Sequence, residues 1–143
     1  MAIKPITLQD AEFIAHSAAA ELLTFTNEPM PPFNTRYPGR LESCLAQPFQ
    51  TFDGKYLHYT LVERTAVLFY MIAKNQCFVN GNKRMAVTLT LAFLFINKKW
   101  MNVDPHKLYE LAKLVGESDD EDREEIQKIL IKAFKNAVVP LRR

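Results

Sequence analysis

A chain of 143 residues fits one domain and is long enough to bury a sizeable core. Its 18 Lys and Arg against 16 Asp and Glu leave a net charge of +2, too small and too scattered to argue for DNA or RNA. The hydrophobic fraction of 48% and charged fraction of 24% are those of an ordinary soluble globular protein. Two cysteines, Cys44 and Cys77, make neither a disulfide framework nor a metal spacing, so reduced thiols and a cytoplasmic location are expected. The opening MAIKPITLQDAEF has no apolar core behind a basic segment and does not read as a secretion signal. The most apolar run, Met85 to Ile96, is about twelve residues, short of the roughly 20 that span a bilayer. It reads as a buried helix, and no membrane partner is expected.

Thr7 caps a first predicted helix, with Leu8, Ala11, Ala15, Ala18, Leu22 and Phe25 on one apolar stripe. That helix stops near Asn27, because Pro29, Pro31 and Pro32 cannot continue it. A Pro-rich connection to Pro38 follows, then a short helix from Gly39 to Ala46, ended by Pro48. Phe49 to His58 reads as an extended surface flap turning at Asp53-Gly54. Thr60 and Glu63 form a capping box for a helix to about Lys74 that is apolar almost all round. A second apolar helix spans Asn82 to Asn97, and the two are expected to pack together as the core. Asp104-Pro105 starts a helix ending at Gly116. Ser118 and Glu121 read as another capping box, for a last helix with Ile126, Ile129, Leu130, Ala133, Phe134 and Ala137 on its inner face. The expectation is an all-α helical bundle with a small extended flap, a single domain over residues 1–143.

Between the two apolar helices runs Asn75-Gln-Cys-Phe-Val-Asn-Gly-Asn-Lys-Arg84. Asn80-Gly81-Asn82 can take left-handed conformations and opens directly into a helix start. Such a start carries unpaired N–H groups and a partial positive charge, which suits an anion. Lys83 and Arg84 are cations placed against that dipole, so a phosphate gripped by Arg84 and approached by Lys83 would explain them. On spacing alone, a plain helix–helix turn with two solvated cations explains the same residues equally well.

The residues themselves tip that balance. The stretch resembles the Fic/Doc signature H-x-F-x-[D/E/N]-G-N-[G/K]-R at Phe78, Asn80, Gly81, Asn82, Lys83 and Arg84, and Lys83 is similar to the Doc (death-on-curing) branch. Tyr37 to Pro48, the apolar helix before the motif and Thr90 to Asn97 after it extend the likeness over roughly residues 5 to 118. The resemblance implies a Fic fold that moves part of ATP onto a protein hydroxyl. Fic members transfer AMP (AMPylation), and Doc toxins transfer the terminal phosphate to the translation factor Tu (phosphorylation). It further implies a toxin–antitoxin setting, with an antitoxin peptide and a protein target as partners. It implies phosphate binding at Gly81, Asn82, Lys83 and Arg84, a Mg²⁺ ligand at Asn80, and a target-binding flap at Phe52, Asp53, Gly54 and Lys55.

Two positions depart from that pattern. Gln76 stands at the place of the family's catalytic histidine, and an amide takes no proton near neutral pH, which removes a general base worth about 10²–10⁴-fold. Asn80 stands at the acidic place and offers Mg²⁺ a neutral oxygen, which weakens binding. A nucleotide-binding domain with impaired transfer is therefore expected, and a non-catalytic interaction module is the alternative. His58 in the flap is a minor candidate to replace the lost base. His16 and His106 read as structural or exposed, Cys77 as a buried thiol and Phe78 as a core anchor of the loop. Ser17 to Glu21 and Thr24 to Glu28 have the spacing of an inhibitory helix but lack its final Gly or Asn.

Overall fold

The computed structural model describes residues 2–22 and 30–141. Helices dominate them, and no helix is long and apolar enough to cross a membrane. The first helical run joins α1 (Leu8–Asp10), a π-helical turn (Ala11–His16) and α2 (Ser17–Leu22). Thr7 caps it as the sequence suggests, and Asp10 completes a capping box by accepting from the Thr7 amide. The π turn was not foreseen. Its wider winding carries the buried face from the expected Ala18 to Ala19, and Ala11 and Ala19 are fully buried. Phe25, the helix stop near Asn27 and the Thr24–Glu28 spacing lie outside the described residues.

Helix α3 (Arg40–Ala46) starts at Gly39, whose left-handed backbone suits glycine. The flap is a two-residue hairpin, β1 (Thr51–Phe52) against β2 (Lys55–Tyr56), with Thr51 opposite Tyr56 and Phe52 opposite Lys55. Asp53 and Gly54 both have positive φ, the turn that Asp-Gly predicts.

Helices α4 (Leu61–Asn75) and α5 (Asn82–Ile96) form the centre. Thr60 and Glu63 cap α4 reciprocally, with Glu63 N donating to Thr60 Oγ1 at 3.1 Å. Thr65 to Tyr70, Ile72 and Ala73 are buried along α4, which leaves no solvated face over its middle turns. Phe69 meets Phe134 edge to face at 5.4 Å, an arrangement worth about 0.5–1.5 kcal/mol beyond burial. Helix α6 (Pro105–Glu117) packs on α4 closely enough that a Cβ on Gly116 would sit 3.2 Å from the Ala73 carbonyl.

Three further features differ from expectation. The Ser118 box does not form, because the Ser118 hydroxyl donates to Val115 O at 2.6 Å and closes α6 instead. Helix α7 (Arg123–Ala137) then enters from a 3₁₀ turn at Asp120–Asp122. Its inner face is Leu130 and Phe134 flanked by Ile126, Gln127, Ile131 and Ala137, while Ile129 is 53% exposed and Ala133 is exposed. Finally, β3 (Lys99–Met101) pairs antiparallel with β4 (Val138–Pro140), a second small sheet joining the end of α7 to the turn after α5.

Candidate functional site

Helix α4 ends on Gln76, which adopts a left-handed conformation with φ 45° and ψ 65°. The chain then bends through Cys77 to Asn80 and enters α5 through Gly81, left-handed at φ 83°. Gly81 is buried against the thioether of Met30, and an added Cβ would overlap that sulfur. No side chain caps α5 at Gly81, and the first turn contains no acid. The positive end of the helix dipole thus carries the two cations Lys83 and Arg84 in its first turn.

The Asn82 side chain holds the loop together. Its Oδ1 accepts from Phe78 N at 2.9 Å and its Nδ2 donates to Phe78 O at 2.8 Å, so the side chain staples the loop across four residues. Phe78 is buried, as expected for a loop anchor, and packs against Phe33 and His16. Arg84 is only 4% exposed, and its carbonyl accepts from the Thr88 hydroxyl one turn on. A guanidinium held so far from water favours a nearby anionic or multiply accepting group.

The start of α3 backs this loop, an arrangement the sequence did not reveal. Tyr37 N donates to Cys77 O at 2.9 Å, and Arg40 Nη1 donates to Gln76 O at 3.2 Å while stacking on the Tyr37 ring. The signal available was Tyr37-Pro-Gly-Arg40, whose Gly39 turn aims Arg40 at the motif. Beside it opens a cavity of about 570 Å³ lined by Arg40, Ser43, Cys44, Met71, Lys74 and Gln76. Cys77 is buried as expected, but its neighbour is Cys44, sulfur to sulfur at 3.6 Å.

The structure brings Gln76, Asn80, Gly81, Asn82, Lys83 and Arg84 into one loop, with Gln76 and Asn80 exposed. It anchors the hairpin elsewhere along α4. Arg64 in the first turns of α4 is sandwiched between Phe49 and Tyr56 and donates to His58 O at 2.9 Å. From Arg64 to Gln76 is roughly 18 Å along the helix. Phe52, Asp53, Gly54 and Lys55 are all exposed at that end.

His58 lines a separate cavity with Val67, Asp120, Arg123 and Glu124, and burial pushes its pKa below the usual value. It belongs to the α7 side of the domain, not to the loop. His16 Nε2 lies 2.9 Å from Pro31 O, a structural contact, and His106 is exposed beside Glu110.

Together these elements define a mainly helical domain of the Fic type, with a loop that enters α5 through a left-handed glycine. The Fic/DOC family model matches residues 5–94, and the chain belongs to that family. The match ends short of residue 118, where the sequence likeness was expected to extend. Neither the curated proteins nor the solved structures contain a match to it.

Proposed function

We propose that the start of α5 binds the phosphates of ATP or a related nucleotide, and that Doc-like transfer to a protein hydroxyl is impaired by Gln76. The observation that carries this reading is the left-handed, buried Gly81, which opens α5 directly into the two first-turn cations Lys83 and Arg84. The loop residues fit a phosphate: backbone amides at a helix start, a cation on the first turn and a buried guanidinium. They do not fit a protein-held Mg²⁺. Asn80 offers one neutral amide, and the described residues contain no group of three His, Cys, Asp or Glu.

Bound nucleotide would supply the group transferred, and this chain's residues would hold and orient it. Positioning and charge stabilisation provide most of phosphoryl-transfer catalysis. What this loop lacks is a proton acceptor. Gln76 points no basic nitrogen at the site, and His58 lies with α7.

A second reading, a protein-interaction module, is favoured by the exposed apolar hairpin. Phe52 is 75% exposed, and Tyr56, Leu57 and Tyr59 are exposed beside it. An antitoxin peptide or a target protein in the cytoplasm would cover that surface.

The test incubates the chain with bacterial lysate and ATP labelled at the α or γ phosphate, comparing parent with Gln76→His. Labelling only by Gln76→His is expected, and the label's position names AMPylation or phosphorylation. Labelling by the parent overturns the impairment. Absence of ATP binding by the parent, measured by calorimetry against Lys83→Ala/Arg84→Ala, refutes the nucleotide site and leaves the interaction module.

A further inference from the structure

We propose that Cys44 and Cys77 form a reversible disulfide that ties α3 to the loop ahead of α5. Their sulfurs are 3.6 Å apart, so they need to close by about 1.5 Å to reach the covalent length of about 2.05 Å. The two residues are separated by 33 positions in the chain, and the existing Tyr37–Cys77 and Arg40–Gln76 hydrogen bonds already hold the two segments together.

A buried pair of thiols is inert unless one is reachable and activated. Cys44 is only 1% exposed, but of the two it is the one in the wall of a cavity. It lines the open cavity with Arg40, Ser43, Met71 and Gln76, which is wide enough for a small oxidant. Asn75 Nδ2 approaches Cys44 Sγ at 3.7 Å as a donor. The sulfur–sulfur hydrogen bond with Cys77 draws the Cys44 pKa below the usual thiol value, burial opposes it, and Asn75 adds to the lowering. Cys77 is pushed upward by the same hydrogen bond and by burial. Cys44, the thiol that lines the cavity and faces the Asn75 donor, is the attacking sulfur, and Cys77 behind it is the resolving one.

The oxidant is a peroxide. The Cys44 thiolate attacks one peroxide oxygen, the O–O bond breaks, and hydroxide leaves, giving a sulfenic acid on Cys44. Cys77 sulfur then attacks that sulfur, the S–O bond breaks, and the hydroxyl departs with the Cys77 proton as water. Two thiols and one hydrogen peroxide become one disulfide and two waters, and two thiols of a reductant such as glutathione reverse the change. A transient bond of this kind is compatible with a reducing compartment.

The proposal does not depend on what the loop binds, and its test does not read activity. The full chain is treated with a few equivalents of hydrogen peroxide, alkylated while denatured, and digested without reduction. The expected product is one Cys44–Cys77 linked peptide within a single chain, two hydrogens lighter than its parts and released by glutathione. Cys44→Ser and Cys77→Ser should each abolish it, and Cys77 in Cys44→Ser should stay unreactive over the same time. The oxidised parent should melt about 5–10 °C above the reduced form, since the bond closes a long loop. Two alkylated thiols after peroxide, a sulfinic acid at either position, or linkage only between chains would overturn the proposal. So would oxidation of Cys77 alone at the parent's rate, or a melting temperature that falls on oxidation.

Discussion

Replacing Gly81 by alanine tests whether the loop needs a glycine for its backbone, for its neighbour, or for both. Gly39 and Gly81 share nearly the same left-handed φ, 80° and 83°, but differ in surroundings. A Cβ on Gly39 meets nothing within 4 Å, whereas one on Gly81 overlaps the Met30 sulfur. Gly39→Ala should therefore lose only the left-handed penalty, about 1–2 kcal/mol. Gly81→Ala should lose that and a packing term of about 1–3 kcal/mol, kept towards the lower end because the thioether chain can swing aside. Urea unfolding of both variants, of Met30→Ala and of the double variant gives a thermodynamic cycle. A favourable coupling of about 1 kcal/mol between Gly81→Ala and Met30→Ala is expected, with an unchanged m-value. Equal losses at Gly39 and Gly81 together with zero coupling would refute the reasoning. Calorimetry on the same variants would show ATP affinity falling for Gly81→Ala and holding for Gly39→Ala.

Asn82→Ala removes both bonds to Phe78 and leaves that residue's partly buried amide and carbonyl unmet, a loss of about 2–3 kcal/mol. Asn82→Asp keeps the acceptor and adds a favourable first-turn charge, so thermal unfolding should place it between the parent and Asn82→Ala. The His58 pKa is lowered in the folded protein, first by burial and then by Arg123 and Arg64 against the opposing Glu63. The unfolded chain therefore takes up the proton first as pH falls below about 6.5. The stability this group contributes is present above that pH and is lost as pH falls towards the folded pKa. His58→Gln should flatten that part of the stability–pH curve in chemical denaturation, and an unchanged slope would show that His58 is not its source.

What was legible in the sequence is what depends on neighbours a few residues away. Thr60 and Glu63 satisfy each other across three positions, Asp53-Gly54 can hardly turn otherwise, and an all-round apolar run has to be buried. The loop from Gln76 to Arg84 was legible for the same reason, since a glycine opening a helix sets the backbone locally. The tertiary structure decided everything that needs a distant partner. It put Cys44 against Cys77, aimed Arg40 at the Gln76 carbonyl, and laid Met30 over Gly81. It also redirected groups with two possible local uses. Ser118 could cap the next helix or close the previous one, and the neighbouring Lys74 donor, bonded to the Ser118 carbonyl and paired with Asp120, accompanies the second choice. The face of α7 turned away from Ile129 because Phe134 had to meet Phe69 on α4. Periodicity marks an apolar stripe to within a residue or so, but only the shape of the opposing helix selects which of two adjacent stripes is buried.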